Sequence, residues 1–562
     1  MKDIIKLWLN HKNLDLSLKE ELLSLSKEEL EEAFYTNISF GTGGLRGIIG
    51  VGTNRMNIYT IRKATLGFAR YILNTYPDAK TRGIVIAFDS RHKSVEFSKE
   101  TAKVMASLGI KVYLFQELRP TPELSYAVRF LKCVGGVMIT ASHNPPNYNG
   151  YKVYDDDGCQ LIPEKADQVI SQIESIDDIL DFDAGDLAKH YEKGLIVDIG
   201  NEIDNLYLEQ VYQTQVNRNV NKNNLKIVFT PLHGTASVFG ASMLQKLGYH
   251  VTPVKEQMTN DPNFPTVKSP NPEENGAFDY AIKVGKNEHA DILLATDPDA
   301  DRLGVAVRNG TGEYTLLNGN QIGAIILFYL AKYKPRNKQG VVFNTVVSSN
   351  LAKSIAKDYN LELVQTLTGF KYIGEQAKLL EGTNKEFFFG YEESHGYVLA
   401  DFVRDKDAFQ SLMILAEIAA FYKDRNQSLL DVLETIYQKY GYFVETQINM
   451  TLSGIEGSKK IQKIIDYFKQ SKLDNIAGMK IITIEDFEDQ VKIENGIRTS
   501  INLPSSQVLK YTFENGGWFV LRPSGTEPKI KFYVSITSDT YEKSNELVSS
   551  LKKEILKIVD KI

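Results

Sequence analysis

Apolar residues spaced three and four apart through residues 13–36, set among Leu, Glu and Lys, predict one or two amphipathic helices leading into a glycine-rich loop at Phe40–Gly47. Beyond that loop, short β-branched runs alternate with helical patterns. They predict strands at Thr81–Phe88, Ile110–Phe115 and Gly135–Thr140, with a helix at Ser94–Leu108. The alternation recurs as strand Leu225–Phe229, helix Phe239–Leu247 and strand Asp291–Ala295. It recurs again as helix Ile322–Tyr333, strand Gly340–Asn344, helix Asn350–Tyr359 and strand Leu361–Thr366. Strands separated by helical crossovers imply an α/β fold, here three similar units with parallel or mixed sheets. After Gly441 the pattern changes to short strands, acidic turns and helix, with Trp518–Arg522 and Lys529–Thr537 enclosing a tight loop, as expected of a smaller C-terminal α+β domain. The expected division is 1–200, 201–315, 316–440 and 441–562, and the acidic stretch Ser175–Asp186 reads as an excursion at the end of the first domain.

Composition narrows this picture. A chain of 562 residues that is 43% apolar can bury several cores. The formal charge of -6 leaves no general basic footprint, so nucleic acid is not an expected partner and any attraction for anions is local. Only Cys133 and Cys159 are present, without a C-x-x-C pair, which suits a reducing compartment and excludes a thiolate metal site. Met1–Asn10 lacks the apolar run of a secretion signal, and the longest apolar stretches, Ile322–Tyr333 and Ser411–Phe421, fall well short of the roughly 18 residues of a membrane span. A cytoplasmic protein is expected, with no membrane partner and no obligate protein partner.

The chemistry lies in loops after predicted strands, where α/β sheets place ligands. Ser142, in Thr140-Ala141-Ser142-His143-Asn144-Pro145-Pro146, follows the apolar run Val137–Ile139; it reads either as a nucleophile in a restrained loop or as a helix cap. Asn149-Gly150 predicts a turn that returns Lys152 toward Ser142. Asp297, Asp299 and Asp301 alternate directly after Ile292–Ala295, with Arg302 adjoining. Such oxygens suit a hard cation such as Mg²⁺. An EF-hand is rejected, because its sixth and twelfth positions hold Arg302 and Arg308 in place of Gly and Glu.

Further loops repeat the phosphate theme. Phe40–Gly47, which includes Thr42, offers open backbone N–H groups and the guanidinium of Arg46, without a Walker lysine. Asp89-Ser90-Arg91 either brings Arg91 to the reacting phosphate or pairs it with Asp89. In Arg522-Pro523-Ser524-Gly525-Thr526-Glu527-Pro528-Lys529, two cations bracket two hydroxyls, as a phosphate nest or a solvated hairpin. Glu392 and Ser394, in Gly390–Gly396, can hold vicinal sugar hydroxyls or be surface groups. Thr368-Gly369-Phe370-Lys371 and Arg404-Asp405-Lys406 add cations. His143, His233 and His395 show no zinc-hydrolase spacing, and Ser142 has no G-x-S-x-G elbow.

With five such motifs in order, the chain resembles the α-D-phosphohexomutase superfamily, most of all its phosphoglucomutase branch, over nearly its whole length after the N-terminal helices. The resemblance implies three similar α/β domains and a smaller fourth around a central cleft. It also implies conversion of glucose 1-phosphate to glucose 6-phosphate through a phosphoserine, with glucose 1,6-bisphosphate as intermediate and activator; phosphopentomutase, phosphomannomutase or a noncatalytic sugar-phosphate binder are the alternatives. Carried over residue by residue, Ser142 is the phosphorylated serine and binds Mg²⁺ with Asp297, Asp299 and Asp301. Arg302, Arg46 and Lys152 lie at the transfer site, with the general acid or base open between Lys152 and Lys371. Substrate contacts fall to Thr42, Arg91, His143, Thr368, Gly369, Glu392, Ser394 and Lys406, and a distal phosphate to Arg522, Ser524, Gly525 and Thr526. Thr368-Gly369-Phe370-Lys371, in place of a Thr-Gly-His segment, resembles the longer phosphoglucomutase and phosphopentomutase chains.

Overall fold

The computed structural model describes residues 2–41, 43–452, 454–471, 473–523 and 529–562. Contacts divide the chain into two compact units: the chain up to Gly319 with Phe370–Ser428, and Asn320–Gly369 with Leu429–Ile562.

In the first unit, strands β1 (Gly44–Ile48), β2 (Ile84–Phe88), β3 (Val112–Phe115), β4 (Gly135–Ile139), β5 (Tyr148–Tyr154) and β6 (Ile196–Ile199) form a sheet in the order β1-β5-β4-β2-β3-β6. β2 runs parallel to β3 and β4, whereas β5 is antiparallel to β4 and β1. Every residue of β2 and β4 is buried, which is why Ile-Val-Ile-Ala-Phe reads as a continuous apolar run. The helix Ile58–Thr75 covers this sheet with Ile61, Ala64, Phe68 and Ile72; Asn57 caps it reciprocally with Thr60, a device worth about 1 kcal/mol.

The second sheet, β7 (Lys226–Thr230), β8 (His250–Pro253), β9 (Ile292–Thr296), β10 (Leu303–Arg308) and β11 (Tyr314–Leu317), repeats the scheme. Its order is β11-β10-β9-β7-β8, with β7 parallel to β8 and β9 and β10 antiparallel to both its neighbours. In the third domain β12 (Gln339–Thr345) and β13 (Glu362–Thr366) pair in parallel, and β14 (Lys385–Glu392) and β15 (Gly396–Val398) form an antiparallel hairpin. The fourth holds β16 (Tyr442–Thr451), β17 (Asn475–Ile476), β18 (Met479–Asp486), β19 (Val491–Glu494), β20 (Ile497–Ser500), β21 (Leu509–Phe513), β22 (Trp518–Pro523) and β23 (Lys529–Ser538). All its pairings are antiparallel, and helices Gly454–Gln470 and Tyr541–Lys561 pack Ile464, Phe468, Leu551 and Ile555 against it. Four α/β domains with mixed and antiparallel sheets are therefore present.

One local expectation is corrected. Asn149-Gly150 is not a turn; it lies inside β5, which β1 and β4 flank on either side. Gly150 is needed there for close packing, since a Cβ would stand 2.4 Å from the Thr140 carbonyl oxygen. Within the acidic stretch 175–186, Ile176, Leu180 and Ala184 are buried.

Candidate functional site

The serine loop leaves the carboxyl end of β4, and a buried network fixes it. Asp89 accepts the Thr140 hydroxyl at 2.6 Å, the Ser94 hydroxyl at 2.9 Å and the Arg91 N–H at 3.0 Å. Thr140 Oγ1 in turn accepts the N–H of Ser142 at 2.8 Å. The guanidinium of Arg91 donates to the carbonyls of Pro145 (2.8 Å) and Tyr148 (3.0 Å) and to those of Ser142 and Asn144. Arg91 pairs with Asp89 at 3.5 Å with both side chains fully buried, and the loop carbonyls take its other donors. Ser142 sits at φ 52°, in the left-handed region that non-glycine residues seldom occupy.

The acidic loop leaves the carboxyl end of β9 and turns at Ala300, which also has φ 52°. Asp297 Oδ1 accepts the N–H groups of Asp301 (3.1 Å) and Arg302 (3.0 Å), while its Oδ2 accepts the Ser142 hydroxyl at 2.6 Å. Asp299 Oδ2 accepts from Lys152 Nζ at 2.7 Å and from Thr121 Oγ1 at 2.8 Å. Asp301 Oδ2 faces Lys406 Nζ at 3.1 Å and Lys152 Nζ at 3.4 Å. The three carboxylates are buried and offer oxygens within 4.8 Å of one another. Oδ1 of Asp299 and Oδ1 of Asp301 are buried without a hydrogen-bond partner.

Burial, then the neighbouring Asp299 and Asp301 charges, push the Asp297 carboxyl well above its ordinary range. Burial pushes Asp299 the same way, but the Lys152 ammonium and its hydrogen bonds outweigh it and hold that carboxyl below the usual range. The lysines respond in kind: burial would lower Lys152 and Lys406, yet the aspartates beside them raise both. A buried carboxylate oxygen left idle costs on the order of 1–3 kcal/mol or more, so the two in this cage point to a missing partner. The all-oxygen donor set fits a hard divalent cation. The other close acidic groups differ in this respect. Asp155 is engaged by Lys165 and by the N–H groups of Asp157 and Cys159, and Lys469 bridges Asp486, Glu488 and Asp489.

Around this cage the first unit gathers most of the other sequence candidates. Arg46 Nη1 donates to Asn144 Oδ1 at 3.0 Å, and His143 Nδ1 lies 3.2 Å from Ser142 Oγ. Burial and the nearby Arg302 and Arg46 keep His143 well below its usual pKa, hence neutral. Arg302 pairs with Glu273, and its Nε is 3.8 Å from Asp301. Lys406 also bonds Asp405 at 3.0 Å, and Asp405 is fixed by the Tyr154 hydroxyl at 2.8 Å. Glu392, buried at the end of β14, is an electrostatic neighbour of both Arg302 and Lys406. Ser394 lies in the β14–β15 turn, which the Leu303 N–H joins to the start of β10 by a 3.0 Å bond to the His395 carbonyl.

Lys371 is the second residue of the helix Phe370–Lys378, its ammonium 5.3 Å from the Tyr372 ring centroid, and its carbonyl accepts the Cys159 thiol. Thr368 and Gly369 follow β13, and Arg522 lies in β22, all in the second unit. Thr42, Ser524, Gly525 and Thr526 lie outside the described residues. Sequence reasoning missed Thr121, Glu273 and the loop at Gly234. A threonine between two prolines at a helix start was the one available signal for Thr121.

A serine hydroxyl bonded to one of three buried aspartates, with two lysines on the other two, on loops of successive α/β domains, is an arrangement suited to phosphoryl transfer. Comparison with known proteins agrees. Phosphoglucomutase/phosphomannomutase models match in order: alpha/beta/alpha domain I at residues 37–179, domain II at 205–310, domain III at 318–440 and the C-terminal domain at 469–549. A phosphoglucomutase of Staphylococcus aureus is 39% identical over 97% of this chain and 98% of its own. One of Staphylococcus epidermidis is 40% identical over 94% and 96%. The phosphoglucomutase parafusin of Paramecium shares the fold with a TM-score of 0.66 at 20% identity, over 94% of this chain and 95% of its own. The chain belongs to the phosphoglucomutase/phosphomannomutase family of the α-D-phosphohexomutase superfamily, and its activity at the level of that family is that of a phosphohexomutase. No helix among the described residues is long and apolar enough to cross a membrane.

Proposed function

We propose that the protein is a Mg²⁺-dependent phosphoglucomutase that interconverts α-D-glucose 1-phosphate and glucose 6-phosphate through phosphoserine 142 and glucose 1,6-bisphosphate. The observation that carries the reading is the 2.6 Å hydrogen bond from Ser142 Oγ to an aspartate of the three-carboxylate cage. Near-full-length similarity to proteins named phosphoglucomutase supports glucose as the sugar. Asp297, Asp299, Asp301 and Ser142 would hold the cation, which when bound draws charge from phosphoryl oxygens.

In the proposed reaction a free hydroxyl of the sugar phosphate attacks the phosphorus on Ser142 as the bond to Oγ breaks. The proton that this hydroxyl loses is returned to Ser142 Oγ, which ends as a hydroxyl directed at Asp297. The bisphosphate then turns and gives its other phosphate back to the serine. Lys152, Arg46 and Arg302 meet the charge of the phosphoryl in transfer. Of the two lysines proposed to carry the proton, Lys152 is the one whose ammonium lies on the cage, 2.7 Å from Asp299, and we assign it there before Lys371. Glu392 and Ser394 hold sugar hydroxyls, with Thr42, His143, Thr368, Gly369 and Lys406 as further contacts. Arg522, Ser524, Gly525 and Thr526 bind the distal phosphate of the substrate. Arg91 acts through the serine-loop carbonyls. The test is kcat/KM measured side by side on glucose, mannose and ribose 1-phosphates with Mg²⁺ and catalytic bisphosphate. Glucose 1-phosphate is expected to give the highest value; a preference for the pentose or for mannose overturns the glucose assignment.

A further inference from the structure

The idle oxygen of Asp299 has a counterpart that is fully occupied, and half of that occupation comes from a residue to which neither the motifs nor the proposed reaction gives a part. Thr121 is the first residue of the helix Thr121–Phe130, directly after Pro120. Its N–H donates to the Asp299 carbonyl at 2.9 Å and its hydroxyl to Asp299 Oδ2 at 2.8 Å, and both residues are fully buried. Lys152 Nζ takes a second position on the same Oδ2 at 2.7 Å. Oδ2 is thus engaged twice, while Oδ1 of the same carboxylate is buried without a hydrogen-bond partner.

A carboxylate turns easily about the bond that joins it to Cβ. The lysine alone fixes that rotation poorly, because its ammonium sits on a flexible stem and is shared with Asp301 at 3.4 Å. The threonine hydroxyl is different: it is short, β-branched and anchored on a helix start whose backbone also grips the aspartate.

We propose that Thr121 is a positioning residue of the cation site, whose hydroxyl fixes the rotation of the Asp299 carboxylate and so commits Oδ1 to the cation. The inference rests on the reading of the aspartate cage as that site. Thr121 belongs to the first matched domain and Asp299 to the second, so a helix of one domain orients a ligand on a loop of the other. Thr121→Val deletes the hydroxyl while keeping the side-chain shape and the backbone bond to Asp299.

The experiment titrates Mn²⁺, a carboxylate-seeking spectroscopic stand-in for Mg²⁺, into the full-length protein and follows the free ion by electron paramagnetic resonance. Wild type, Thr121→Val, Thr121→Ser and Asp299→Asn are compared, each checked for an unchanged circular dichroism spectrum. Thr121→Val is expected to bind about ten- to a hundredfold more weakly, as for other residues that orient metal ligands, and Thr121→Ser to stay within about threefold of wild type. Wild-type affinity in Thr121→Val overturns the inference. So does a Thr121→Ser variant as weak as Thr121→Val, which assigns the effect to packing and not to the hydroxyl. If wild type fails to bind Mn²⁺, or Asp299→Asn binds it as well as wild type, the cage reading falls instead.

Discussion

At the scale of single residues, the two loops that meet at the cage each carry one side chain in a backbone conformation that disfavours it. Ser142 and Ala300 both have φ 52°. The left-handed region costs an L-residue roughly 1–2 kcal/mol, and such strain persists where surrounding bonds over-determine it. Here those bonds are the Thr140–Asp89–Arg91 network around the serine. Removing the hydroxyl without relieving the backbone is therefore distinguishable from removing both. Ser142→Gly is expected to unfold in urea with a stability roughly 1 kcal/mol above that of Ser142→Ala, with both variants inactive. The reverse order of stability contradicts the strained conformation. Ser142, Arg302 and the three aspartates stand out in the sequence because they directly follow apolar strands, whereas Lys152 was tied to them through an Asn-Gly turn that is in fact strand. Thr121 and Glu273 were not, since a threonine and a glutamate acquire meaning only from Asp299 and Arg302, far away in the chain.

At the scale of elements, the strands that end at the site were legible from their continuous apolar runs, and β2, β4, β7 and β9 fall within a few residues of the predicted positions. The helix Lys2–Asn10 and the long helix Ile58–Thr75 were not predicted, although the second packs a full apolar face on the first sheet. β5 was misread as a turn because Asn-Gly is a strong local turn signal. Its conformation is set instead by pairing on both edges, and this carries Lys152 to the cage. A comparable close approach occurs at Gly234, in the loop after β7. A Cβ there would lie 2.3 Å from Pro298 Cα and 2.6 Å from its oxygen, while the next N–H, that of Thr235, bonds the Pro298 carbonyl at 2.8 Å. Pro298 stands between two of the three aspartates. Gly234→Ala should therefore push the acidic loop out of place and lower kcat about ten- to a hundredfold, the cost typical of an ångström-scale misplacement. Gly310→Ala, where a Cβ meets nothing within 4 Å, is the control and should leave kcat unchanged. Equal kcat in the two variants contradicts the claim that the loop after β7 holds the acidic loop in register.

At the scale of the whole molecule, the chain repeats one α/β scheme and adds an antiparallel domain at its end, and the repetition was visible because each sheet announces itself by the same alternation of strand and helix. What the alternation does not contain is which loops converge. The serine and its aspartate are 155 positions apart, and the turn after β14 reaches β10 across 92. The family resemblance implies that convergence, and within the first unit the serine loop and the acidic loop do meet. In the proposed reaction everything turns on Ser142 as the carrier of the phosphate. Its most direct test is the steady-state conversion of glucose 1-phosphate to glucose 6-phosphate by wild type and Ser142→Ala, with Mg²⁺ and catalytic glucose 1,6-bisphosphate. The expected result is turnover by the wild-type protein and none above background by Ser142→Ala. Full turnover by Ser142→Ala, or no conversion by the wild-type protein, contradicts it.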